Sequence, residues 1–546
     1  MPGRTVEEIL AALTELESAE TVDAAAVEAL LAELRSVEGG GLESVLEDAE
    51  ADEEELEEGL EALYPNRWQN WPRNLKARPV EFRRPTSRAE LIAAVQEAID
   101  AGGKLKPLGA SYSCSEASQP VDGGFAIDTQ SHLNQTRPVN HVKAGVDTSR
   151  LARVQAGMRL IDLAEELATS GLALANLGGF AKQTIAGVMS TGTHGTGLQQ
   201  STFADMVVSA DIVIVDDAGQ AALHRFEPTG GITDPASFPN AAERLHQNDD
   251  AFYAMIVACG AMGVVYSYTI RVVDLYWVRE TASAFVFPDD FDGVLARAKA
   301  GENLSITVFP YATLPGGKFR GVVNHFKRLT RAEAMAMDPA LVRDPPTRSD
   351  DQAVLGAMAK VFGTDVIGGI MATLPKVFLT QVEKFLENSV GNDFTSVYYK
   401  TYPRTTGDRF RAVFNESSVP VGELKSTTRK ALRHAAAKES DYRYLVPFSL
   451  RFIGGSRHFI SMHYGRDSGS LEAFVVKGVP KADEALRDLE TALPTARPHW
   501  GQLHWFVVPA PAHYPTSWNK WLTQYRKRNA TGLFNCATTD LLNIST

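Results

Sequence analysis

The stretch TIAGVMSTGTHGTGL, residues 184–198, sets Gly187, Gly192, Gly195 and Gly197 among Ser190, Thr191, Thr193 and Thr196, with no Asp, Glu, Lys or Arg. Glycine lets a backbone approach a ligand closely, and successive N–H groups and small hydroxyls can surround an oxyanion without a cation. The chemistry such a stretch suits is the binding of a pyrophosphate. It is not a P-loop, because no Lys-Ser or Lys-Thr follows, and GTGLQQ lacks the third glycine of the dinucleotide fingerprint. Taken alone, the stretch is read equally well as a turn-rich hairpin. A second small-residue loop, PLGASYSCS at 107–115, follows the strand-like GKLK. Two such loops, each beside a strand, point to one extended phosphate-bearing ligand held from two sides. Hydrolase and metal motifs are absent: the sequence has no G-x-S-x-G, H-E-x-x-H or EF-hand spacing. His458 and His463, and likewise His499 and His504, are five apart on segments read as extended or looped, which turns their rings to opposite sides. No metal site is expected.

These residues need a scaffold, and 546 residues with 44% apolar composition are enough for two or three domains. The acidic N-terminal sequence and the absence of a long apolar run predict neither a signal peptide nor a membrane span, and hence a cytoplasmic protein. Cys114, Cys259 and Cys536 are odd in number and widely separated, which predicts neither a disulfide framework nor structural zinc. Residues 1–63 hold 20 acidic side chains against Arg4 and Arg35, so the rest of the chain carries a net +5 within the total of −13. A mildly basic body argues against a general nucleic-acid binder and suits an anionic cofactor or substrate. Amphipathic periodicity predicts helices over Thr5–Ser18, Ala24–Leu34 and Leu42–Leu63, an appendage that could dock a partner or a second copy. From about residue 66 the rhythm becomes α+β, with RPVEFRRP, KLKPLGASYS, ARVQAG, ADIVIVDDAGQAALH and GVVYSYTIRVVDLYWV read as strands. RAELIAAVQEAIDAG and MRLIDLAEELATSGL are read as helices, the second ended by Gly171. Further on, the pattern predicts a helical region over Gln352–Asn388 and strands at YLVPFSLRFI and HFISMHYG.

The blocks WQNWPRNLKARPVEFRRPTSRAEL, PLGASYS, ANLGGFAKQTIAGVMSTGTHGTG, DAFYAMIVACGAMGVVYSYTIRVV and RPHWGQLH resemble, in that order, the aldonolactone and alditol oxidases of the vanillyl-alcohol-oxidase (PCMH-type) flavoprotein superfamily. The resemblance covers most of residues 66–275 and patches beyond. It implies an FAD-binding domain of two α+β subdomains over 66–275, a mixed-sheet cap holding the substrate over 276–499, and a segment over 500–546 that returns to the flavin. The acidic helices of 1–65 stand outside it. By matching position, the implied FAD contacts are Gly109, Ala110, Ser111, Tyr112, Ser113, Gly187, Ser190, Gly192, Thr193, Gly195 and Val264. The slot that controls oxygen access in a plant dehydrogenase relative, where it is alanine, is Gly178 here, which favours dioxygen as acceptor.

Departures from the family pattern bear on function. Tyr112 stands where many relatives carry the histidine bonded to the flavin, so non-covalent FAD is expected. A tyrosyl ether needs a phenol that ionises only near pH 10, and Cys114 is better read as a small buried thiol. In the cap, FSLRFIGGSRHFISMHYGRDS keeps Arg451 of the Glu-x-Arg pattern but has Ser449 in place of the glutamate. His499-Trp500-Gly501 is followed by Gln502 instead of the family lysine, whose charge could stabilise a reduced flavin or developing alkoxide. The candidates for the flavin face are Arg451, as anion anchor, Tyr464 or a histidine as acid/base, and His463, His499, Gln502 and His504; the histidines and tyrosine of MHY and QLHW are read equally as packing residues. The reading is an FAD-dependent oxidase that takes a hydride from a C–H next to oxygen or nitrogen and gives hydrogen peroxide. Its substrate is expected to be a specialised metabolite instead of a simple alditol or aldonolactone. A dehydrogenase or epimerase with another acceptor, and a flavin-binding interaction protein with decayed chemistry, are the alternatives.

Overall fold

The computed structural model describes residues 66–345, 388–402, 411–439, 447–476 and 479–546, with a few isolated positions elsewhere. The helices expected within 1–65 and over Gln352–Asn388 fall almost wholly outside the described residues.

Three sheets carry the molecule, and the first is small and parallel. It is built from β1 (Glu81–Arg83), β2 (Leu105–Leu108) and β3 (Phe125–Asp128) in the order β1-β3-β2. Helix α1 (Arg88–Asp100) begins at Ser87, whose side chain accepts from the Glu90 N–H, and buries Leu91, Ala94, Val95 and Ala98. Those positions fall on one helical face, which is why the segment folds against the sheet.

The second sheet holds β4 (Thr136–Arg137), β5 (Leu151–Gln155), β6 (Val207–Val215), β7 (Ala221–Glu227), β8 (Leu245–Gln247) and β9 (Val264–Arg271), ordered β8-β7-β6-β9-β5-β4. Its β6–β7 hairpin turns at VDDAGQ, with Gly219 at φ 76° and the Gly219 N–H donating to the Asp216 carbonyl at 3.0 Å. Helices α2 (Leu160–Thr169), α3 (Ile185–Thr191) and α4 (Asp249–Met255) share its core through Leu163, Leu167, Val188, Met189 and Phe252. Gly171 follows α2 at φ 70°, the left-handed conformation that ends a helix without a Cβ penalty.

The third sheet is the largest: β10 (Trp277–Phe287), β11 (Leu304–Leu314), β12 (Lys318–Leu329), β13 (Asp393–Val397), β14 (Ala412–Pro420), β15 (Phe448–Ile453), β16 (Ser468–Val476) and β17 (Arg497–Pro498). The order is β13-β10-β12-β11-β15-β16-β14-β17, and all its described pairings are antiparallel. The sequence reading expects mixed strand directions here. The described parallel pairings lie instead in the first sheet and between β7 and β8 of the second. Side chains alternate between the two faces. Ile306, Val308, Leu450, Phe452, Leu471, Ala473 and Val475 face a core shared with helices α5 (Phe291–Lys299), α6 (Leu424–Ala437) and α7 (Ala482–Ala492). HFISMHYG is not a strand: it runs through turns between β15 and β16, with the Ser461 N–H donating to the His458 carbonyl at 3.0 Å and the Tyr464 N–H to the Ser461 carbonyl at 2.9 Å.

The end of the chain returns to the first sheet, where the Leu105 N–H donates to the Leu533 carbonyl at 2.7 Å, and helix α8 (Trp518–Arg528) buries Trp518, Trp521 and Tyr525 in the core of the second sheet. Among the described residues no helix is long and apolar enough to cross a membrane.

Candidate active site

A cavity of about 640 Å³ lies between the loops of the first two sheets and the open face of the third. On the loop side, Gly109, Ala110, Ser111, Tyr112 and Ser113 line it, and Gly178, Gly187, Ser190 and Thr193 join them. The two loops are in direct contact. A Cβ built at Gly109 would overlap the Thr184 hydroxyl, and that hydroxyl caps α3 by accepting from the Gly187 N–H. Ser111 takes the left-handed conformation at φ 54°, which folds its loop tightly. None of the lining residues from Trp71 to Tyr268 is Asp, Glu, Lys or Arg. This chargeless cradle of glycines and hydroxyls fits the pyrophosphate of a dinucleotide, which such loops meet with N–H and O–H groups.

Gly192, Gly195 and Val264 are not on the wall. Gly192 ends α3 at φ 69°. A Cβ at Gly195 would stand 2.5 Å from the Leu177 carbonyl, so its glycine is needed for backbone packing. Val264 is fully buried, packed with the core of the first sheet, and the next residue, Val265, lines the cavity. The last part of the glycine-rich stretch serves to join the sheets: Thr196 Oγ1 donates to the Leu304 carbonyl and the Gly197 N–H to the Phe452 carbonyl, both at 2.5 Å, which fastens the stretch to β11 and β15.

Tyr112 lies on the wall between Trp71 and Phe180, with ring centroids 5.4 and 5.2 Å away. Cys114 also lines the cavity, but burial pushes its thiol up to about 12, so it stays protonated and a poor nucleophile.

The opposite wall is the face of the third sheet. Val322, Thr307, Ser449, Glu472 and Glu416 are register partners in succession across β12, β11, β15, β16 and β14, and all five line the cavity. Beyond this row, Phe414 pairs with Phe474 and Ala412 with Val476. Arg451 stands between the carboxylates, its Nη2 2.8 Å from Glu472 Oε2 and its Nη1 3.5 Å from Glu416 Oε1. Its charge is therefore already met by two carboxylates, where the sequence reading gives it the role of anion anchor. Gln502 Nε2 donates to Glu472 Oε1 at 2.8 Å and to Glu416 Oε2 at 3.4 Å. Ser470 Oγ also donates to Glu416. Burial opposes ionisation of Glu416, yet His194 and Arg451 hold its carboxyl well below the usual range.

His194 comes to the cavity from the glycine-rich stretch. Its Nδ1–H donates to the Gly195 carbonyl at 2.9 Å, and Nε2 lies 3.3 Å from Glu416 Oε1. His499 lines the wall beside it. Its Nδ1 accepts from the Gly501 N–H at 3.0 Å, so the proton is on Nε2, 3.4 Å from Thr193 Oγ1. Burial pushes His499 down to about 4 and keeps it neutral.

Three candidates named from sequence stand off the wall. His463 packs edge-on behind His194, with ring centroids 4.6 Å apart. Tyr464 packs on Phe459, and its carbonyl accepts from Arg497. His504 lies among Trp500 and Phe506, its Nδ1–H on the Gln502 carbonyl. Arg451, His499 and Gln502 are brought together, and Glu416, Glu472 and His194 are added. The signal for the two glutamates is alternation: Ala412, Phe414, Glu416 and Val476, Phe474, Glu472 step by two along strands, each ending a half-apolar face on a carboxylate. Among the described residues no three His, Cys, Asp or Glu side chains gather as metal ligands.

Two family models match the chain: an FAD binding domain over residues 79–219 and D-arabinono-1,4-lactone oxidase over residues 332–538. Mycobacterium tuberculosis L-gulono-1,4-lactone dehydrogenase is 23% identical over 446 residues, 80% of this chain and 90% of that protein. Bos taurus L-gulonolactone oxidase is 25% identical over 462 residues, covering 80% and 89%. Among solved structures, cholesterol oxidase from B. sterolicum shares the fold, with a TM-score of 0.65 at 14% identity over 87% of this chain and 96% of that one.

Proposed function

The chain belongs to the PCMH-type FAD-linked oxidoreductases, in their aldonolactone-oxidase branch, and on that premise we propose that it is an oxidase taking a hydride from a C–H next to oxygen or nitrogen, with dioxygen as acceptor and hydrogen peroxide as product. The observation that carries this reading is the cavity itself. A chargeless two-loop cradle faces a sheet wall bearing Arg451, Glu416, Glu472 and Gln502. The carboxylates of that wall are placed on β14 and β16, with Ser449 between them and β11, which supports a substrate other than a simple alditol or aldonolactone.

The chemistry FAD supplies when bound is that of a hydride acceptor. Ser111, Ser113, Thr184, Ser190 and Thr193 offer the hydroxyls that would hold its pyrophosphate, and Tyr112 lines the cradle without being asked for a covalent bond. As the hydride leaves, the substrate's O–H or N–H proton needs a base. His194 is the base this reading assigns: Nδ1–H fixes the ring on the Gly195 carbonyl, and a proton at Nε2, an atom buried against Glu416 at 3.3 Å, would be stabilised by that carboxylate. Arg451 and Gln502 hold the two carboxylates in position. Gly178 lines the wall without a side chain, which supports dioxygen as the acceptor in this reading.

The test is the visible spectrum of the purified protein before and after acid precipitation, followed by peroxide assay over a panel of alcohols, lactones and amines. Flavin in the supernatant and peroxide with at least one substrate are expected. Turnover only with a dye acceptor would make the enzyme a dehydrogenase. A colourless protein that takes up no FAD would remove the reading.

A further inference from the structure

The charges on the sheet wall select against one class of ligand. Arg451 is met by Glu472 at 2.8 Å and Glu416 at 3.5 Å, and Glu416 is met from the loop side by His194 at 3.3 Å. If His194 is neutral the cluster is one negative charge in excess, and if it is an imidazolium the cluster is balanced. In neither case is a positive charge left for an anionic ligand.

Hydrogen bonding gives the same sign. Gln502 turns its Nε2 to both carboxylates, at 2.8 and 3.4 Å, which leaves its Oε1 buried and unpartnered on a side chain that lines the cavity. The neighbouring Glu472 carboxylate is also an acceptor. An ammonium group has three donors and no acceptor and suits a wall whose accessible polar group is the Glu472 carboxylate, whereas a carboxylate or phosphate would set acceptor against acceptor. Along the same strands the wall becomes apolar at Phe414, Phe474 and Val476.

We infer that the substrate carries an ammonium group seated against Glu472 and Gln502, with a hydrocarbon or aromatic body lying along Phe414 and Phe474. This inference rests on the flavin-oxidase reading of the same cavity. It names the substrate class as amines and amino alcohols, and it excludes sugar acids and phosphates.

The flavin-loaded protein is titrated with three probes of similar size, benzylammonium, benzyl alcohol and phenylacetate, and the Kd is read from the change in visible flavin absorbance. Benzylammonium is expected to bind roughly tenfold more tightly than benzyl alcohol, with phenylacetate weakest. Glu472→Gln should remove most of that preference, by weakening benzylammonium binding. Gln502→Lys, which balances the charge of the wall, should remove most of the preference for benzylammonium over benzyl alcohol. Equal binding of amine and alcohol, tighter binding of phenylacetate to the native protein, or a spectrum insensitive to all three overturns the inference. Absence of bound flavin at the outset would instead defeat the oxidase reading on which it rests.

Discussion

Arg451 and Glu416 depend on one another. Glu416 is 3% exposed and keeps its charge because Arg451, His194 and the Ser470 hydroxyl surround it. Glu416→Gln removes one partner of a buried charge and leaves Arg451 supported by Glu472 alone, so a loss of about 3 kcal/mol in unfolding free energy is expected. Turnover should fall further than flavin content, since His194 loses the group that stabilises its protonated form; denaturation and kcat measured on the same preparation check both. The buried histidines add a pH dependence. Burial pushes His499 and His504 from 6.5 down to about 4. Between these values the unfolded chain binds protons that the folded one does not, so stability is complete above about 6.5 and is lost as pH falls toward about 4, by on the order of 3 kcal/mol per histidine. Thermal melts across that range should show Tm falling with pH, and His504→Gln, off the cavity wall, should make the slope shallower.

The helices α1 and α2 and the β6–β7 hairpin follow from local signals, namely capping at Ser87, glycine at 171 and the turn at VDDAGQ. The segment 458–465 does not, because its alternating apolar residues mimic a strand while its backbone bonds close turns. The contact between the two loops is a property of elements as well. Gly109 touches Thr184, the cap of α3, so Gly109→Ala should force the loops apart and lower FAD content by roughly tenfold or more in binding constant. Gly422→Ala, off the cavity and at a position where a Cβ meets nothing within 4 Å, is the comparison. Fluorescence titration of the apoprotein with FAD would read the difference.

Across the whole molecule, charge is segregated: residues 1–63 are strongly acidic and the rest is basic by +5. We propose that the acidic segment serves a partner or self-association instead of catalysis. Its deletion is then expected to leave FAD content and small-substrate turnover within about twofold of the full chain; loss of soluble protein or of flavin would contradict that. The body is joined across its parts by the same glycine-rich stretch that helps line the cavity, through Thr196 and Gly197 onto the third sheet. The sequence by itself determined the two small-residue loops, the order of strands and helices around them and the likeness to flavin oxidases, because each is written in neighbouring residues. It also placed Arg451, His499 and Gln502 among the candidates through the family pattern. Only the tertiary structure decided that Glu416 and Glu472 stand beside Ser449 and Arg451, and that His194 meets them from the loops. Residues 416, 449 and 472 lie on three strands, and what makes them neighbours is the register of an antiparallel sheet, a long-range property set by how β14, β15 and β16 pack on their helices.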